Sequence, residues 1–292
     1  MTIDLIAPGL RIATPLLLAA SGELILERSG LLNVGLEGVM LCGAFFGFAA
    51  SFYTGSPWLG AAAGMLAGVL LAAVLAWMAL RKKADQLVTG LALNFAALGL
   101  TGLLYKAMEN QLARDNEIRV MSAVKFEPLI FGQTWFTWLA LLLIPVLTWY
   151  LYRTERGLEL RAVGEHPAAA AASGISVLRC RFKACLFAGA MGGLAGAFLT
   201  LSQASTFTFG CTSGRGFIVL SAVVLGRHHP LGVAGACLFF GLAFAAGNQA
   251  QAMGLQVPVE VLDMLPYVIT LVALALSLQK RSQAPAALGK PY

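Results

Sequence analysis

The chain has 292 residues, 59% of them hydrophobic and 12% charged, with a formal net charge of +6. A soluble domain is excluded, because roughly a quarter of its residues would be charged. Uninterrupted apolar runs such as LGAAAGMLAGVLLAAVLAWMAL (residues 59–80) specify instead an integral membrane protein of the helical kind, since about 20 apolar residues cross a hydrocarbon core roughly 30 Å thick.

The N-terminal segment MTIDLIAPGLR carries an acid and no basic n-region, so the first span is expected to be retained and not cleaved as a signal peptide. Apolar windows predict spans at residues 10–26, 32–53, 58–80, 87–105, 135–152, 184–201, 217–226, 231–250 and 259–278. The seventh is short enough to be half a span. The expected fold class is therefore all-α, a polytopic transmembrane bundle of eight or nine spans forming one domain over residues 1–292. The 32 glycines fit that reading, because small residues let helices approach closely in lipid and also permit breaks.

Between the first two spans lies ERSGLLNVGLEG (residues 27–38). Glu27 and Arg28 are expected at the membrane edge, in water. Asn33 and Glu37 are four residues apart and share a helix face. An acid at bilayer depth costs roughly 2.5–3.5 kcal/mol, so it is a functional-site hypothesis by default. The competing reading is a cytoplasmic turn in which Asn33 is only an N-cap. The fourth span opens DQLVTGLALNFAALGLTG, where Gln86, Thr89 and Asn94 suit either a neutral polar solute or helix-to-helix hydrogen bonds. Phe207, Phe209 and Phe217 flank a second glycine-rich break, Ser213 to Gly216, and either pack or stack on a planar ligand. Spans one to four and six to nine would run in opposite directions, each quartet with a Ser-Gly pair at its first break, which is the pattern of inverted repeats around a midplane binding site.

Lys and Arg accumulate on the cytoplasmic side. They cluster at residues 153–183, at 81–83 and in the tail (Lys280, Arg281, Lys290), so these are expected inside and the mixed-charge loop 106–134 outside. Within residues 153–183, Pro167 starts, an alanine run builds and Gly174 ends a helix of about two turns, suited to docking a cytoplasmic partner. The five cysteines are scattered without a CxxC pair, no His spacing suits a metal, and no phosphate loop, nucleophile elbow or HExxH occurs. No catalytic residue, metal, resident cofactor or nucleic-acid partner is expected, and energy for transport must come from another chain or an ion gradient.

Three stretches in order carry a resemblance to a known family: SGELILERSGLLNVGLEGVMLCGAF, DQLVTGLALNFAALGLTG, and GLELRAVGEHPAAAAASGI followed by GFIVLSAVVLGRHHPLGVAGACLFFG. They resemble inner-membrane permease subunits of bacterial ABC importers of the branched-chain amino acid, ribose and nucleoside superfamily, most closely its nucleoside and simple-sugar branch. The resemblance implies a multi-pass permease in the bacterial inner membrane, paired with a second permease, such as a paralogue, or a copy of itself. It further implies an ATP-binding subunit that hydrolyses ATP, a substrate-binding lipoprotein or periplasmic protein, and a nucleoside, a monosaccharide or a branched-chain amino acid as cargo. It assigns residues 153–183 as the coupling loop, with Arg161, Gly164, Glu165, Pro167 and Ala170 toward the ATPase. It puts Asn33, Glu37, Thr89, Asn94 and Phe217 on the substrate path and residues 106–134 on the periplasmic side. His166 stands where the branch usually has asparagine, a stronger N-cap. An ion-coupled carrier is the rival class; it would need a relay within the spans, and only Glu23, Glu37 and Asp263 near span ends offer one.

Overall fold

The computed structural model describes residues 3–114, 124, 126, 132–252, 264 and 284–290. Among these the chain is helical throughout: α1 (Ile3–Arg28), α2 (Leu36–Thr54), α3 (Pro57–Ala76), α4 (Gln86–Arg114), α5 (Trp135–Arg153), α6 (Glu155–Glu165), α7 (Pro167–Ala172), α8 (Val177–Phe198), α9 (Arg215–Leu225) and α10 (Pro230–Ala252). Wider π-type turns extend α3 through Trp77–Arg81 and α8 through Leu199–Ala204.

Seven of the described helices are long and apolar enough to cross a membrane, and α9, at 11 residues, is half that length. That is fewer than the eight or nine spans expected; the expected span 259–278 lies, but for residue 264, outside the described residues. The sequence also hid α6. Its apolar content is low, and its start is marked only by Thr154, whose Oγ1 accepts the Gly157 N–H at 3.1 Å as an N-cap.

α1 occupies the centre, against α5, α8, α9 and α10. Thr14 on α1 and Thr137 on α5 share a 2.9 Å hydroxyl hydrogen bond inside the core, so neither polar group meets lipid. α2, α3 and α8 interlock through backbone contact. A Cβ at Gly193 of α8 would overlap the carbonyl of Gly64 and reach Gly68 Cα at 3.0 Å, and one at Gly196 would overlap the Met40 carbonyl. Only hydrogen fits at these positions. Two side chains then stitch the approach: Cys185 Sγ donates to the Ala72 carbonyl at 3.2 Å, and Thr200 Oγ1 to that of Ala44 at 3.0 Å.

The two ends of the bundle differ. Arg11 donates to the Gly132 carbonyl and Gln133 to that of Ala7, so the start of α1 and the start of α5 share one end. Rings of Trp58, Trp135 and Phe136 stack near this end, with Trp135 and Phe136 centroids 4.2 Å apart, and Phe126 meets them edge-on. At the other end meet the end of α1, α6, the α9–α10 turn and the 284–290 tail: Ala287 N–H donates to the Gly164 carbonyl at 3.0 Å and Gly289 N–H to that of Gly30 at 3.2 Å. Arg153, Arg156, Arg161, Arg179, Lys183 and Lys290 gather there.

Candidate functional site

Helix α1 ends at Arg28, Gly30 adopts a left-handed φ of +89°, and α2 does not begin until Leu36. An unwound stretch inside a membrane protein leaves amides and carbonyls that lipid cannot satisfy. Side chains do so here. Glu23 Oε1 accepts the Asn33 N–H at 3.1 Å, Gln86 Oε1 accepts Leu32 N–H at 2.8 Å, and Asn94 bridges the break, donating to the Val34 carbonyl at 2.9 Å and accepting Gly38 N–H at 2.7 Å. Gln86 and Asn94 thus tie α4 to the unwound stretch. Thr89 turns back on its own helix, its Oγ1 donating to the Asp85 carbonyl at 2.7 Å. Close approach of Gly35 and Gly90 makes the junction possible, since a Cβ at Gly90 would lie 2.7 Å from the Gly35 nitrogen.

Glu37, in the first turn of α2, reaches across to the second break. Its Oε1 accepts Gly214 N–H at 2.8 Å and its Oε2 accepts Gly216 N–H at 2.6 Å, so one carboxylate holds two of the free amides at the start of α9. The four leading N–H groups of a helix have no partner within it, and the positive end of the helix dipole favours an anion there. Gly214 sits at φ +76°, a conformation that glycine adopts without strain. The two glycine breaks singled out in the sequence are therefore joined by one side chain. Asn33, beside this junction, is buried, and neither its Oδ1 nor its Nδ2 has a hydrogen-bond partner among the described residues. Phe217 on α9 is exposed. Phe209 also lies at the surface, while Phe207 is buried against Phe45 and Tyr105, both at 5.3 Å between centroids, so packing accounts for it.

Glu27 and Arg28 differ from the expectation. Glu27 is 1% exposed, not in water, and its Oε2 lies 2.6 Å from His228 Nε2. Arg28, half-buried, donates from Nε to the His228 carbonyl at 2.8 Å. The physical reason is register: Glu23 and Glu27 are one helical turn apart on the same inward face of α1, and the α9–α10 turn folds over that face, with Arg227 and His228 both left-handed (φ +56° and +55°). A histidine among turn residues gave no sequence signal for this pair. The spacing of Glu23 and Glu27 was the available clue.

Within residues 153–183, α7 spans Pro167–Ala172 and Gly174 follows at φ +84°, as the sequence indicated. Ala170 is buried with Val163 and Val177, and Gly164 is buried so tightly that a Cβ would overlap the Arg28 carbonyl. Arg161 lies over the Tyr152 ring at 4.9 Å, and Tyr152 stacks on His229 at 5.2 Å. Pro167 is half-buried. Glu165 is exposed and its Oε2 accepts Ala286 N–H at 3.2 Å. The outward surface of the elbow consists of Glu165, His166, Ala168, Ala169, Ala171 and Ala172. Among the described residues there is no group of His, Cys, Asp and Glu able to hold a metal.

Comparison with known proteins adds the following. The pattern of the family described as branched-chain amino acid transport system / permease component matches residues 5–274. The chain is 35% identical to the guanosine ABC transporter permease protein NupQ of Bacillus subtilis, over 99% of this chain and 97% of that protein. It is 34% identical to the nucleoside ABC transporter permease protein NupC of Lactococcus lactis, over 100% and 97%. A Haloferax volcanii protein provisionally described as a glucose ABC transporter permease is 36% identical over 83% of this chain and 76% of its own length. In fold, the chain is similar to a solved ABC transporter described as metal-chelate type, in an inward-facing conformation, with a TM-score of 0.55, 16% identity, and coverage of 94% of this chain and 85% of that one.

Proposed function

The chain belongs to the family of branched-chain amino acid transport system permease components, and from that membership we propose that it forms half of the membrane path of an ATP-driven importer whose cargo is a nucleoside. The observation that carries the cargo class is the likeness to two nucleoside permeases across essentially the whole chain. The Haloferax volcanii relative favours a monosaccharide as the second reading. A separate subunit hydrolyses ATP, a second permease completes the path, and an external binding protein delivers the solute. The basic end of the bundle faces the cytoplasm, in the bacterial inner membrane.

Geometry supports a route for coupling. Binding of ATP by the partner displaces α7, whose exposed alanines form the docking face with Glu165 at the end of α6, while buried Gly164 and Ala170 pass that displacement inward. Gly164 bears on the Arg28 backbone, Arg28 and Glu27 hold His228, and His228 leads into α9. The far end of α9 is tied by Glu37 to the broken entry of α2, beside Asn33. Motion at the cytoplasmic surface thereby reaches both breaks, and each ligation state selects one arrangement of them. The meeting of the two breaks also favours an inverted-repeat relation between the halves. Thr89, Asn94 and Phe217 stand near this junction, with Phe217 as the exposed aromatic face open to a planar base.

Uptake of labelled guanosine, glucose and leucine by cells carrying the complete transporter tests the cargo. Nucleoside uptake alone is expected; glucose uptake without nucleoside uptake would overturn the assignment in favour of a sugar.

A further inference from the structure

A cavity of about 740 Å³ opens at the basic end of the bundle, between α5, α6 and α8, with Ile25 of α1 at its floor. Its volume falls within the roughly 300–1,000 Å³ of small-molecule sites. It belongs to neither the two breaks nor the outward face of α7.

Its lining divides by chemistry. Arg156, Arg179 and Lys183 bring three cations to it, against the single carboxylate of Glu159. All three cations are exposed, and among the described residues none has a salt bridge to an acid. Much of the remaining wall is apolar, Val146, Trp149 and Phe187 included. Val146 and Trp149 are 45% and 63% exposed, facing outward from α5 where the bilayer surrounds the bundle.

The two halves lie at similar distances from the basic end of the bundle. α8 starts at Val177, so at 1.5 Å per residue Arg179 lies about 3 Å and Lys183 about 9 Å into the helix. Trp149 and Val146, about 6 and 10 Å from the end of α5 at Arg153, cover nearly the same interval, and Trp and basic side chains together are what a membrane interface gathers. An acidic segment of a soluble partner would complement the cations and leave the Trp149 and Val146 wall against lipid. A molecule with a negative head and hydrocarbon tails satisfies both halves together.

We propose that this cavity binds an anionic phospholipid of the cytoplasmic leaflet, its phosphate held by Arg156, Arg179 and Lys183 and its acyl chains along Val146, Trp149 and Phe187. Basic pockets between helices on this side of a membrane are suited to such headgroups. Because Ser173 to Ser176, which follow α7, also line the cavity, the bound lipid buttresses the base of the coupling elbow. The inference depends on membrane placement and not on the cargo.

The test is native mass spectrometry of the full-length chain, titrated from detergent with phosphatidylglycerol or phosphatidylcholine. Preferential retention of phosphatidylglycerol is expected, with about thirtyfold weaker binding in Arg179→Gln/Lys183→Gln. Arg153→Gln, an exposed arginine at the same end but outside the cavity, should leave binding unchanged. Equal retention of the two lipids, an unaltered titration in the double variant, or an equal loss in Arg153→Gln would overturn the proposal. So would displacement of the lipid by millimolar inorganic phosphate, which would mark a site for a free anion. All three substitutions lie on exposed side chains, and an unchanged elution profile on size exclusion separates lost binding from lost fold.

Discussion

Replacing Glu37 by glutamine tests the tie between the two broken helices at its narrowest point. The carboxylate accepts from Gly214 and Gly216 at 2.8 and 2.6 Å. Hydrogen bonds to a charged group contribute about 1.5–3 kcal/mol each, and an anion at a partly buried helix start adds up to about 2 kcal/mol. Glutamine keeps one acceptor oxygen, turns an amine against the other N–H and removes the charge. The expected loss is therefore about 3 kcal/mol, a shift of about a hundredfold in the equilibrium between the tied and released positions of α9. In cells carrying the complete transporter, the initial rate of labelled guanosine uptake, normalised to permease in the membrane by quantitative immunoblot, should fall about tenfold or more. Melting of the purified complex separates two routes to that fall: an unchanged melting temperature means the tie acts in the transport cycle, and a lowered one means it also holds the fold. Wild-type uptake together with wild-type melting would refute the assignment of Glu37 as the link.

Three further outcomes follow from the same geometry. Asn94→Ala strips the partners from the Val34 carbonyl and the Gly38 amide; at about 1–3 kcal/mol for each group left unsatisfied, thermal unfolding in detergent should move clearly downward. His228→Ala leaves Glu27 buried and unpaired, which costs about 3–5 kcal/mol; combining it with Glu27→Gln should recover part of the melting temperature, and no recovery would mean the pair is not the cause. Gly193→Ala drives a methyl group into the Gly64 carbonyl; the level of folded permease in membranes should drop severely, whereas the same change at Gly235, where a Cβ meets nothing within 4 Å, should be tolerated.

Much of the architecture is legible in the amino-acid sequence, because the solvent imposes it. Lipid demands long apolar helices, and every expected segment up to residue 250 reappears as a helix, within about three residues at its better-defined end. The glycine breaks at 30–38 and 210–216 are legible for the same reason: few residues other than glycine leave a helix at depth. What joins the breaks is not legible. Glu37 and Gly214 are 177 positions apart, and no local period announces a side chain that caps a helix from another element. The burial of Glu27 escapes similarly. Next to Arg28 and Ser29 it reads as a wet membrane edge, and only the fold of the α9–α10 turn across α1 encloses it. Within residues 153–183, the alanine run identifies α7, but the sequence does not separate its buried Ala170 from the exposed alanines around it, since all are alike.

The central claim is ATP-driven transport through this chain. The most direct measurement is nucleoside uptake into proteoliposomes holding the complete transporter, with ATP enclosed or omitted and with the ATP-binding subunit present or absent. Uptake that requires both enclosed ATP and the ATP-binding subunit, unaffected by collapsing ion gradients, is the predicted result. Uptake that persists without the ATP-binding subunit and vanishes when the ion gradient is collapsed would contradict it, and would make the buried Glu23, Glu27 and His228 the relay of an ion-coupled carrier.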